Sequence, residues 1–193
     1  MKAAALFDSV PALPAGMKYV TDLISPDEER ALVERFAKLP FKAFEFQGFL
    51  GKRRVVSFGW RYDFNVMTIE KTQDMPAFLL PLRERAAAFA GLAPLALQQV
   101  LLTEYGEGAG IGWHKDRSVF GEVVGISLLA PSIFRLRRKI GAKPRTTWER
   151  LSLMLAPRSA YLLAGPARTE WEHSIPEVDS LRYSVTFRNL RER

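Results

Sequence analysis

The chain has 193 residues, 48% of them hydrophobic and 25% charged, which is the balance of an ordinary soluble globular protein and excludes global disorder. With no cysteine it has no disulfide, thiolate zinc site, iron–sulfur cluster or cysteine nucleophile, so any metal must be held by nitrogen and oxygen. A formal net charge of +7 favours a polyanionic partner such as nucleic acid.

The N-terminal run MKAAALFDSVPALPAG carries one lysine and is interrupted by Asp8, so it lacks a signal-peptide core and a cytoplasmic protein is expected. A helix is predicted from about Ser25 to Leu39. Ser25 is its N-cap, Pro26 its first position and Glu28 completes a capping box, with Leu32, Val33 and Phe36 at helical spacing. The stretch from Arg53 to Tyr62 interleaves arginines with aromatics. Arg54, Trp60 and Tyr62 either hold phosphates and stack on an unpaired base, or Trp60 and Tyr62 simply pack in the core. A second helix is predicted from about Pro76 to Ala90, closed by Gly91. Residues 86–103 carry no charge, but Gly91, Pro94, Gln98 and Gln99 break them up, and no membrane span is expected.

Beyond this point the pattern is of short extended runs. They are Leu97–Tyr105, Val123–Leu129, Ile133–Arg138, Leu151–Leu155, Ala160–Leu163 and Leu181–Leu190, with Arg54–Trp60 before them. Helices early and many strands late predict one α+β, mainly β, domain over 1–193. N-terminal helices would fill about 1–95, and an antiparallel double-sheet core about 96–193. A basic run at Arg135, Arg137, Arg138 and Lys139, with Lys143 and Arg145, is either a solvated face or a contact for a nucleic-acid backbone.

The two histidines of the chain are both placed for chemistry. On a strand His114 and Asp116 would share one face with Lys115 opposite, and a later segment would return His173. Two imidazoles and one carboxylate on one side of a metal leave its other positions open, which is the facial triad of ferrous oxygenases. Further on, Arg182, Ser184, Thr186 and Arg188 alternate with Tyr183, Val185 and Phe187. The polar face is either solvated or lines a cavity for an anion, for which the planar guanidinium is suited. Six strand residues span about 20 Å. Either the two arginine arms converge on one acid, or one binds the acid and the other supports the metal region.

His114-x-Asp116, His173 and Arg182-x5-Arg188, with the approach Tyr105-Gly106-Glu107-Gly108-Ala109-Gly110-Ile111-Gly112-Trp113, resemble the motif set of the AlkB-type 2-oxoglutarate- and iron(II)-dependent dioxygenases over roughly residues 50–190. The resemblance implies a double-stranded β-helix (jelly roll) with N-terminal flanking helices and a substrate lid within about 1–95. It implies iron(II) on His114, Asp116 and His173, and 2-oxoglutarate on Arg182 with Tyr105, while Arg188 sits nearer the metal. O2 would be the co-substrate. Thr103 and Ser184 stand where the family often has asparagines and can still hydrogen-bond to the cofactor. Ser118 stands where AlkB has an acidic residue near the damaged base. The resemblance implies oxidative demethylation of N-alkylated bases in DNA or RNA. A base inside a duplex does not reach a buried metal, so single-stranded or flipped nucleotides are expected. A monomer is expected, although the sequence does not fix the oligomeric state. The alternatives are a hydroxylase or demethylase of a protein side chain or small metabolite, and a non-catalytic jelly-roll binding module.

Overall fold

The computed structural model describes residues 12–46, 48–141 and 146–191; the first eleven residues of the N-terminal run, and Lys143 and Arg145, lie outside them. Helix α1 (Pro26–Phe36) starts with the expected capping box. The Ser25 hydroxyl accepts from the Glu28 amide at 3.2 Å, and the Glu28 carboxylate accepts from the Ser25 amide at 2.8 Å. The α-ladder ends at Phe36, short of the expected Leu39. Pro40 follows, and the last residues tighten into bonds from Lys38 to Arg35 and from Leu39 to Phe36. The second helix begins as a 3-10 turn (Ala77–Leu79) and becomes α2 (Leu80–Ala90) where Pro81 occupies the first turn; Gly91, at φ 75°, closes it. A short α3 covers Gly165–Thr169.

Thirteen strands are described: β1 (Met17–Val20), β2 (Lys42–Phe46), β3 (Phe49–Phe58), β4 (Trp60–Asp63), β5 (Thr68–Lys71), β6 (Gln99–Tyr105), β7 (Ile111–His114), β8 (Phe120–Leu129), β9 (Ser132–Ile140), β10 (Thr147–Leu155), β11 (Ala160–Leu163), β12 (Glu172–Ile175) and β13 (Arg182–Leu190). They form a seven-stranded sheet in the order β1-β11-β8-β13-β6-β3-β2, a four-stranded sheet in the order β10-β9-β12-β7, and the separate hairpin β4-β5. The fold is a double-stranded β-helix. The N-terminal part is not only helices and lid: β1 pairs with β11, β3 with β6 and β2 with β3, which extends the large sheet at both edges.

Each face of the large sheet has its own apolar layer. Val100, Leu102, Ile126, Val185 and Phe187 point to the helices and pack with Phe36, Leu79 and Leu82. Tyr105, Val123 and Tyr161 point the other way and pack with Phe134, Leu136, Leu153 and Leu155 of the small sheet. Period-two alternation on β6, β8 and β11 supplies both layers. The expected strand Arg54–Trp60 is split at Gly59, which adopts φ 77° and passes so close to Gln98 that a Cβ would lie 2.1 Å from its carbonyl oxygen. This turn lets β3 stay in the large sheet while β4 leaves it. Among the described residues no helix is long and apolar enough to cross a membrane.

Candidate active site

Strands β7 and β12 pair antiparallel with His114 opposite His173. Cross-strand neighbours share a face, and the two imidazole centroids lie 4.3 Å apart. His114 Nδ1 lies 2.8 Å from the Gly112 carbonyl oxygen. A carbonyl only accepts, so Nδ1 carries the proton and Nε2 keeps its lone pair for a metal. Asp116 was expected on the same strand, but β7 ends at His114 and Asp116 lies in the loop that follows. That loop is tied down by Arg168, which donates to the carbonyl oxygens of Arg117 (2.7 Å), Phe120 (2.9 Å) and Gly121 (2.9 Å). The Asp116 carboxylate then has Oδ2 3.6 Å from His173 Nε2. Its Oδ1 accepts from Arg188 Nε at 2.9 Å and Nη2 at 2.6 Å. Gln99 fixes the far side of Arg188 by accepting from Nη1 at 3.0 Å.

The charges suit a cation. Burial lowers the pKa of both histidines, His173 to about 3, so both imidazoles are neutral and able to donate lone pairs. Burial opposes ionisation of Asp116, but Arg188, His173, His114 and Arg168 together outweigh it, Arg188 most of all, and hold the carboxyl well below the usual carboxylate range. Among the described residues no three imidazole or carboxylate groups already enclose a common metal position. Arg188 holds the Asp116 carboxylate, so a metal ion competes with it there. Donor type, charge state and proximity nevertheless fit an octahedral N2O site with open positions.

Beside these groups the polar face of β13 is buried in the protein interior. Arg182, Ser184, Thr186 and Arg188 are all buried, not solvated. Arg182 is 1% exposed. Its Nε donates to Ser127 Oγ at 3.1 Å, its guanidinium carbon lies 5.0 Å from the Tyr105 ring centre, and Nη1 has no partner among the described residues. No carboxylate neutralises it. A buried, unpaired guanidinium is costly and calls for an acid, which is the observation that 2-oxoglutarate fits. Thr103 faces Ser184 across β6 and β13, and Ser184 Oγ lies 3.4 Å from Thr186 Oγ1, so these hydroxyls fill the floor between the two arginines. The arms do not converge on one partner: Arg182 reaches Ser127 and the Tyr105 ring, and Arg188 reaches Asp116 and Gln99.

Trp60 and Tyr62 lie on the β4-β5 hairpin, half-buried and outside both cores. Tyr62 packs on Phe64 with centroids 5.0 Å apart, and the Arg117 guanidinium lies 5.1 Å from each ring. Ser118 is exposed in the turn after Asp116. Arg54, expected at the substrate, is instead placed on the helix side of the large sheet. There it donates to both Glu104 oxygens at 2.7 and 2.9 Å, and Glu104 also accepts from the Tyr183 hydroxyl. The sequence reading passed over Gln99, Arg117, Ser127 and Arg168. Gln99 was legible from its alternation with Thr103 and Tyr105, and Arg117 from its place next to Asp116. Nothing local marks Ser127 or Arg168, whose partners lie 55 and 47 to 51 residues away.

Residues 16–188 match the family model described as the 2OG-Fe(II) oxygenase superfamily. The alkylated DNA repair protein ALKBH8 homolog of Arabidopsis thaliana is 30% identical over 210 residues, covering 96% of this chain and 58% of that protein. The DNA oxidative demethylase ALKBH2 of Mus musculus is 30% identical over 142 residues, covering 68% of this chain and 58% of that protein. The chain therefore spans somewhat over half the length of these two relatives. The solved structure of OsALKBH1 shares the fold, with a TM-score of 0.71 over 92% of this chain and 98% of that one at 16% identity. The family match runs from the residue before β1 to Arg188 and so takes in each of the groups described above: the chain belongs to the 2OG-Fe(II) oxygenase superfamily and is an AlkB-type dioxygenase, of a family that uses iron(II) and 2-oxoglutarate with O2.

Proposed function

We propose that this dioxygenase removes N-methyl groups from unpaired bases of DNA or RNA. The observation that carries the reading is the lip next to Asp116, where Tyr62 and Phe64 meet edge-to-face at 5.0 Å and the Arg117 guanidinium lies 5.1 Å from each ring, aromatic and cationic surface of the kind that holds an unpaired base. The net charge of +7 and the names of the two relatives support it.

His114, Asp116 and His173 would hold the iron, which supplies the oxidation of a C–H bond at the expense of 2-oxoglutarate and O2. Arg182 would bind a carboxylate of 2-oxoglutarate through its free Nη1, with Tyr105 and Ser127 fixing its plane. Arg188 and Gln99 hold the Asp116 carboxylate in place until the metal takes it. Hydroxylating an N-methyl carbon gives N–CH2OH, which loses formaldehyde and leaves N–H. His173 is buried, and a base stacked in a duplex does not reach such a depth, so the target is single-stranded or flipped.

The test is succinate and formaldehyde release by the iron(II)-loaded protein on matched single-stranded DNA, duplex DNA, RNA and a histone-like peptide, each with and without N-methyl groups. Formaldehyde from methylated nucleic acid, greater from single strands than from duplex, is expected. Succinate with no formaldehyde from any nucleic acid overturns the reading, and equal turnover of single and double strands removes the requirement for unpaired bases.

A further inference from the structure

We propose that the lip admits a neutral or anionic substrate group and turns away cationic methylated bases, with Arg53 as the residue that makes the choice; this rests on the nucleic-acid reading above. Arg53 precedes Arg54 on β3. Arg54 is held by Glu104 on the helix side of the sheet, and Val56 and Phe58 pack into the helix-side core. Alternation therefore aims Arg53 at the opposite face, the face that Tyr105 and Thr103 share on the neighbouring β6. Its charge is felt by both His114 and Tyr105.

Around it runs a chain of edge-to-face ring contacts. The Arg53 guanidinium lies 3.8 Å from the Phe44 ring centre, Phe44 is 5.4 Å from Phe64, Phe64 is 5.0 Å from Tyr62, and Arg117 lies over both Tyr62 and Phe64. Two guanidiniums thus flank three rings. Neither has a carboxylate partner among the described residues. The acids in reach are already engaged: Asp63 accepts from the Asn65 and Val66 amides, Glu70 pairs with Arg61, Glu104 with Arg54, and Asp116 with Arg188. Ser118 adds no charge. Aromatic rings ordinarily attract a methylated cation through their faces, but here arginines already lie over all three rings. A cationic base would meet two uncompensated positive charges in a partly dehydrated slot, while a carboxylate or a carbonyl-rich neutral base would gain charge-assisted hydrogen bonds. Selection by repulsion of the wrong charge is as effective as attraction of the right one.

The experiment uses protein loaded with manganese(II) and saturated with 2-oxoglutarate, so that binding is read without turnover. The ligands are single-stranded heptamers identical except for a central 3-methylcytosine (cation), 5-methylcytosine (neutral) or 5-carboxycytosine (anion), with benzoate and benzyltrimethylammonium as polymer-free probes. We expect the anionic heptamer to bind at least about tenfold tighter than the cationic one, and Arg53→Glu to cancel or invert that order. Arg53→Gln, the milder change, should shrink it while altering 2-oxoglutarate affinity less than about threefold. Equal binding of cation and anion, a wild-type preference for the cation, or an Arg53→Gln effect confined to 2-oxoglutarate overturns the proposal. If no heptamer binds but benzoate still exceeds benzyltrimethylammonium and Arg53→Glu reverses them, the nucleic-acid reading falls and the charge selection stands.

Discussion

Arg182 is fully buried, with Nη1 unsatisfied and no acid paired with it among the described residues. An uncompensated interior charge destabilises, so Arg182→Met should raise the stability of the cofactor-free protein by about 1 kcal/mol or more while erasing the rise in melting temperature that 2-oxoglutarate gives the wild type. Arg182→Lys keeps the charge but loses the planar fork, and should weaken 2-oxoglutarate about tenfold with little effect on iron, as read by titration of each. His173 sets a pH dependence. Unfolded, it titrates near its ordinary value; folded, burial holds it down to about 3. Between those values the unfolded chain binds the extra proton. The stabilisation is therefore complete above about pH 6.5 and falls by about 1.4 kcal/mol per pH unit below it. Urea denaturation of the metal-free protein from pH 7.5 to 4.5 should show that fall, steepened by His114, whose pKa burial also lowers, and His173→Gln should reduce the slope without abolishing it. Asp116 adds nothing to this window, because its lowered pKa places its own loss of stabilisation at more acid pH.

At the scale of elements, β13 does the most. One face gives Tyr183, Val185 and Phe187 to the helix-side core, and the other gives Arg182, Ser184, Thr186 and Arg188 to the buried polar interior. It can do both because β8 and β6 cover its two edges, leaving its backbone fully paired. The hairpin β4-β5 depends on Gly59 in a different way. Any side chain there needs a positive φ and meets the Gln98 carbonyl, so Gly59→Ala should cost about 2 kcal/mol and displace the lip that carries Tyr62. The matching readouts are urea denaturation and the affinity for single-stranded DNA, and a variant as stable and as tight as wild type would mean that the turn is not what positions the lip. Strands β1 and β2 were not legible in advance. Each is only 4 or 5 residues long, at a sheet edge, and half-exposed or exposed along most of its length, so neither carries a strong alternation.

For the molecule as a whole, the excess of 28 basic over 21 acidic residues is a long-range attraction for a polyanion. Binding of single-stranded DNA should therefore weaken steadily with salt, with a slope of about 0.7 in log Kd per phosphate contacted. A salt-independent Kd would leave stacking in the lip as the whole of the interaction. Arg53 and Arg117, unpaired at that lip, are where the general attraction becomes selective.

The ordered set His114, Asp116, His173, Arg182 and Arg188 was readable in the chain because iron and 2-oxoglutarate demand particular side chains, and few residue types meet those demands. Alternation on 182–188 was equally plain, since a strand buried on one face by apolar residues must present the rest on the other. What folding alone decided is how those groups are paired. The β7–β12 register sets His114 against His173. The end of β7 releases Asp116 into a loop that Arg168 anchors, and the sheet face on which Arg54 falls hands it to Glu104 and leaves Arg53 to the opposite face. A partner 39 to 89 residues away leaves no local trace, because pairing across sheets depends on register and topology and not on the residues beside it.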